Sequence, residues 1–216
     1  MTYDSTRIME NLKEATAEQH RDAERRQLQR ELVRGQLAPE TYAAWLGQMF
    51  LVHEALWESI AAQRPDHARL GAIVLDDGLH VGHLRADLAA FGLDADDVAP
   101  LPSTQRAIQA IEQASESDPL SLLGYNYVLE GSMNGNQYIA RALQQAPGIS
   151  AMSYLDPYGV EQRPSWQAYR ERMNDAGFDE PQGQRIVAAA GNMFSFIAEM
   201  SDDLMRASVP ASRFTE

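Results

Sequence analysis

His20 stands in the run Leu-Lys-Glu-Ala-Thr-Ala-Glu-Gln-His-Arg-Asp-Ala-Glu, residues 12–24. Wound as a helix, this run puts Lys13, Ala17, His20 and Glu24 on one stripe. An imidazole there can ligate a metal through one ring nitrogen, provided a partner at the other nitrogen fixes the ring. Glu24, four residues on, is placed to be that partner, directly or through a water. Lys13, two turns back, can reach an anionic group at the edge of the same site. A bland reading stands beside this one: a single helical histidine among Glu, Arg and Gln is most often a surface residue.

Far downstream, Gly131 and Gly135 lie four apart in Glu-Gly-Ser-Met-Asn-Gly-Asn-Gln, residues 130–137. Each glycine costs a helix about 1 kcal/mol relative to alanine. Two of them in mid-helix mean that something approaches the backbone closely, or that the helix bends. Tight helix–helix packing is the ordinary explanation. The polar neighbours Ser132, Asn134, Asn136 and Gln137 suit instead a flat ligand with a polar centre and ordered water above it.

The other candidates are weaker. His53 falls on an apolar stripe and needs a buried partner for its polar tip. His80 and His83, three apart, have no evident third ligand, and a surface position is expected for them. Glu54, Glu58 and Glu130 could offer carboxylates to a metal, but no Glu-x-x-His pair of the kind that builds dinuclear sites is present. The chain also lacks a P-loop, a dinucleotide-binding glycine pattern and a nucleophile elbow.

The elements that must position these residues read as helices throughout. Residues 5–34 form a helical stretch, with Asp4 or Ser5 as cap and Gly35 as stop. Pro39 opens a second helix whose stripe is Tyr42, Trp45, Met49, Val52/His53, Leu56 and Ile60. Shorter helices are expected over 67–76, 83–91 and 103–114, and a long one from Pro119 to Gln145. The buried face of that long helix reads Leu120, Leu123, Tyr127, Gly131, Gly135, Tyr138 and Ala142. A loop over 148–163 leads to a helix that starts at Pro164 and ends near Gly177. A final helix, about 182–206, buries Ile186, Ala190, Met193, Ile197, Met200 and Leu204. The expectation is an all-α single domain over 1–207 with seven or eight helices and a frayed tail at 208–216.

Bulk properties narrow the function classes. The chain has 216 residues and a net charge of −13, which argues against a basic nucleic-acid-binding face. It has no cysteine, so disulfides and thiolate chemistry are excluded. No signal peptide or membrane-spanning stretch is evident, and a cytoplasmic location is expected.

These segments together resemble the heme oxygenase family. Leu12-Lys13-Glu14-Ala15-Thr16 followed by His20-x-x-Ala23-Glu24 is similar to the family's proximal helix, whose histidine is the axial iron ligand. Tyr127-x-x-Glu130-Gly131-Ser132-x-x-Gly135 resembles the distal helix, whose glycines touch heme, in a form closer to certain bacterial members. Tyr169-Arg170-Glu171-Arg172-Met173-Asn174 is similar to a third family segment, which implies that Arg170 pairs with a heme propionate. Phe194 matches a position near the heme edge, and the second helix, Tyr42 to Glu58, also fits, so the likeness spans about residues 8–205.

The resemblance implies a fold that holds heme between a proximal and a distal helix. It implies a cofactor set with Lys13, His20, Glu24, Tyr127, Gly131, Gly135, Arg170 and Phe194 at heme, and His20 on the iron. Heme would be both substrate and cofactor, with dioxygen as co-substrate and biliverdin, carbon monoxide and iron as products. Electrons would come from a separate reductase or ferredoxin, to a monomer or weak dimer. Two positions depart from the pattern. Ser132 stands where many members carry an aspartate after the first glycine, and His53 stands at a distal position that is often tyrosine. Proton delivery is then expected to run through Ser132, Asn134 and His53, with Gly131 and Gly135 shaping the space for oxygen. Two rivals remain: a heme carrier or sensor without oxygenase activity, and a non-heme, metal-binding member of the same fold.

Overall fold

The computed structural model of the chain describes residues 7–75 and 80–207, and among these the regular structure is ten α-helices and short 3-10 turns, with no strand. In chain order the helices are α1 (Ile8–Ala15), α2 (Ala17–Glu24), α3 (Gln27–Val33), α4 (Pro39–Gln63) and α5 (Ala68–Ile73). They continue with α6 (Val81–Ala90), α7 (Pro102–Ser117), α8 (Leu122–Leu143), α9 (Gln162–Asp175) and α10 (Glu180–Ala207). The expected caps Asp4 and Ser5 and the expected tail from 208 lie outside the described residues.

The start of α4 follows from local chemistry. Gly35 ends the preceding helix at φ +65°, a conformation costly for any side chain. Ala38 is extended ahead of Pro39, which opens the helix where its missing N–H is not needed. The anticipated stripe is then fully enclosed: Tyr42, Trp45, Met49, Val52, His53, Leu56 and Ile60 are all buried.

The stretch 5–34 departs from expectation, because it is three short helices rather than one. At Thr16 the hydroxyl donates to Leu12 O at 2.7 Å, a side-chain bond that competes with the helical ladder. At Arg26 the backbone turns extended (ψ 148°), while its guanidinium bonds Asp22 and, at 2.9 Å, Asp202. Neither break contains glycine or proline. Both exist because α1, α2 and α3 wrap around α10, and tertiary contact outweighs helix propensity.

Helix α10 is the hub, touching α1, α2, α3, α4, α7 and α8. Its crossing with α8 is close at Gly124, where an added Cβ would collide with Ile186 O and lie 2.8 Å from Ala189 Cβ. Gly124→Ala should therefore lower stability by about 3 kcal/mol, at the upper end for overpacking. An unchanged urea midpoint for this variant would show that the two helices separate without cost.

Candidate functional site

A cleft runs between α2 and α3 on one side and α8 and α10 on the other. It has two lobes, of about 600 and 470 Å³, which share His20, Val128, Gly131, Ser132 and Phe194. His20 reaches it because α2 begins afresh after Thr16, whose carbonyl accepts the His20 N–H at 2.9 Å. The imidazole is about half exposed (53%), with Nε2 3.7 Å from Glu24 Oε1. Its edge meets the Phe194 ring, centroids 5.0 Å apart and planes at 77°. Lys13 and Tyr127 line the smaller lobe with Trp166, and Glu24, Asn134 and Gly135 line the larger.

The glycines of α8 behave differently from Gly124. A Cβ on Gly135 would meet nothing within 4 Å, and one on Gly131 would meet only Trp166, at 3.3 Å. Helix packing thus accounts for Gly124, while Gly131 and Gly135 border the cleft. This corrects the buried face expected for the long helix, since Gly135 is exposed and Tyr138 is 67% exposed. Packing instead uses Leu122, Leu129, Met133 and Leu143. Ser132 and Asn134 turn partly back on their own helix: Ser132 Oγ donates to Leu129 O at 2.7 Å and Asn134 Nδ2 to Gly131 O at 3.0 Å.

Two expected site residues do not line the cleft. Arg170 pairs with Glu10 at 3.0 Å, yet its charge acts on the phenol of Tyr127, whose pKa burial raises and Arg170 lowers. His53 is buried, with Nε2 3.0 Å from the Tyr154 hydroxyl. Tyr154 in turn interacts with Ser132, so a polar chain runs from His53 to the glycine wall. Sequence reasoning missed Tyr154, which arrives from the loop before α9. It also missed Trp166, the apolar residues Val128, Ile139 and Ile197, and the rim cations Arg30 and Arg34. A cationic pair at i, i+4 beside the histidine helix was the one available signal for the last two.

On the other side of α8 lies a second buried polar group. His80, expected at the surface, is 5% exposed in a left-handed conformation (φ 53°), with its ring edge on Tyr158. Its ring packs inward against Tyr158, a contact 78 positions along the chain that a surface reading of two histidines could not anticipate. Its Nε2 is 3.9 Å from Glu130 Oε2, while Glu130 Oε1 accepts from Tyr158 OH at 2.8 Å. Burial, helped by His53 and His83, pushes the His80 imidazole down to about 3. Burial likewise pushes the Glu130 carboxyl up to about 7, against smaller opposing effects of Tyr158 and Arg172. Glu54 pairs with Arg85, and no cluster of three or more metal-ligating side chains forms among the described residues.

The signs of these two shifts give a pH prediction. A carboxyl raised from 4.5 to about 7 contributes stability that is complete below 4.5 and lost as pH rises through 7. A histidine lowered from 6.5 to about 3 contributes stability that is complete above 6.5 and lost as pH falls toward 3. The slopes oppose one another between 4.5 and 6.5. Glu130→Gln should therefore match the parent near pH 4.5, gain on it with rising pH, and level off past 7. The gain is on the order of 3 kcal/mol at most. Melting curves of parent and variant that stay parallel from pH 5 to 8 would contradict this.

An all-helical fold with an open histidine-and-glycine cleft defines a narrow class. The heme oxygenase family profile matches residues 6–203, and the chain belongs to that family. Heme oxygenase 1 of Pongo abelii is 25% identical over 206 residues, covering 91% of this chain and 71% of that protein. The structure of heme oxygenase from Leptospira interrogans superposes with a TM-score of 0.82 at 25% identity, over 90% of this chain and 98% of that one. Heme oxygenase-1 from Synechocystis, solved in complex with heme, gives a TM-score of 0.81 at 23% identity, over 93% and 95% of the two chains. No helix among the described residues is long and apolar enough to cross a membrane.

Proposed function

We propose that the chain is a heme oxygenase: it binds heme in the α2–α8 cleft and opens the ring at a meso carbon, using dioxygen and electrons from a separate ferredoxin or reductase, to give biliverdin, carbon monoxide and iron. The carrying observation is the opposition of His20 to a helix wall that has no side chain at Gly131 and Gly135. The residues present fit the group. His20 offers a ring nitrogen, Val128, Ile139, Ile197 and Phe194 offer an apolar bed, and Lys13, Arg30 and Arg34 offer cations at the rim for carboxylates. Support also comes from the Synechocystis relative, which was solved with heme.

Bound heme supplies the iron that activates dioxygen and is itself the substrate. The chain's own residues orient the ring and manage protons. Lys13 and Tyr127, which line the smaller lobe, would hold the carboxylate edge of the ring, and Arg170 would join them by exchanging Glu10 for a ligand carboxylate. Gly131 and Gly135 would leave the wall facing the ring free of side chains, so that a small molecule such as dioxygen could approach there. Ser132, backed by Tyr154 and His53, holds the polar path that replaces the usual distal aspartate. His20 would hold the iron through an imidazole, a weaker electron donor than a thiolate.

The test is aerobic reduction of the heme-reconstituted protein with ascorbate or a reductase. Bleaching of the Soret band with release of biliverdin is the expected result. A Soret band that persists through repeated reduction would leave a heme carrier or sensor.

A further inference from the structure

A separate cavity of about 190 Å³ opens on the side of α8 facing away from the glycines, between α8, α9 and the end of α5. Its polar wall is not satisfied among the described residues. Asn126, 1% exposed, has both side-chain amide atoms buried without a hydrogen-bond partner, as are Tyr169 OH and Glu130 Oε2, the latter 3.9 Å from His80 Nε2. All three residues line the cavity. A buried polar group left unpaired costs about 1–3 kcal/mol, so several converging on one space point to something that pairs with them. Much of the remaining wall is apolar or aromatic, from Ile73, Val74, Ala168 and the Tyr158 and Tyr169 rings, with Ser165 and Arg172 completing it.

We infer that this cavity binds a small, planar, uncharged molecule whose edge carries a hydrogen-bond donor and acceptor side by side, as a ring-bearing primary carboxamide does. Asn126 presents the complementary pair: Nδ2 donates to the ligand carbonyl and Oδ1 accepts its N–H. Glu130 Oε2, one helical turn on, accepts the second N–H. The ring then lies against the tyrosines and the Ile73–Val74 wall. Size agrees, since an apolar cavity of about 150 Å³ holds one benzene. Charge agrees too: Arg172 and Glu130 share the wall, so neither a carboxylate nor an ammonium finds a site of one sign. Arg172 is moreover engaged, its Nε donating to Ile73 O at 3.0 Å. Tyr169 stacks on Trp166 at 5.4 Å between centroids, and Trp166 borders Gly131. Occupancy therefore reaches an indole at the cleft wall. The inference stands whether or not the cleft holds heme.

Calorimetric titration of the heme-free full chain with benzamide tests it, with benzoate and benzylamine as charged controls. Saturable binding of one benzamide per chain is expected, with a change in tryptophan fluorescence that Trp166→Phe removes. Asn126→Leu should weaken binding at least tenfold and Tyr169→Phe several-fold, with circular dichroism unchanged. The inference fails if benzamide does not bind, or if its affinity is the same in Tyr169→Phe and Asn126→Leu. It also fails if benzoate binds more tightly, or if a crystal grown in saturating benzamide shows only ordered water in the cavity.

Discussion

His20→Ala should leave the chain folded and remove its chemistry. The imidazole is half exposed and its ring neighbour among the described residues is Phe194, so the substitution costs little packing and should change stability by no more than about 0.5–1 kcal/mol. Heme affinity is a different matter. Losing even the partner of a metal-bound histidine typically costs 10- to 100-fold, so losing the ligand itself should cost roughly 100-fold or more. Turnover to biliverdin should fall below detection. Exogenous imidazole can enter the vacated space between α2 and the glycine wall, and it should restore a histidine-like Soret band to the variant. A variant with the parent's Soret band and no imidazole requirement would move the ligand elsewhere and remove the basis of the proposed function.

Gly131→Leu and Gly135→Leu should close the cleft from the opposite side, and the two differ in a useful way. Position 135 has open space around it, so an added Cβ there meets nothing within 4 Å and a longer side chain projects into the cleft. Replacing that glycine favours the helix by up to about 1 kcal/mol. Gly135→Leu should therefore be as stable as the parent, or more so, yet bind heme at least tenfold more weakly and form little biliverdin. At 131 the indole of Trp166 stands 3.3 Å from the Cβ position and has to give way, so Gly131→Leu should lose both stability and heme. Gain of stability with loss of ligand at one residue cannot come from a packing role. Normal biliverdin formation in Gly135→Leu would sink the assignment of that face to the substrate.

What could be read from the sequence follows a physical division. The stripe of α4 was legible because seven apolar or buried positions at helical spacing leave one way to face a core. The opposition of His20 to Gly131 was legible only through the family resemblance, since spacing alone favoured a surface histidine and left the glycines between packing and a ligand. The long helix was misread in detail. Tyr138 looks apolar but stands at 67% exposure, because the glycine stripe it shares faces the cleft rather than the core. Arg30 and Arg34 reach the rim only because the chain breaks at Arg26, and that break comes from a contact with Asp202, 176 residues away. Nothing local encodes such a contact. The inward turn of His80 was hidden for the same reason.

The breaks at Thr16 and Arg26 bear on how so wide a slot can be loaded. A single thirty-residue rod would have fixed the distance between the two walls once and for all. Three short segments are instead fastened to α10 by discrete clasps, Arg26 to Asp202 at 2.9 Å and Gln29 to Ser201 at 3.3 Å. The spacing between the two walls is thus tied to α10, through these two hydrogen bonds and through the fully buried Leu28 and Leu32 beside them.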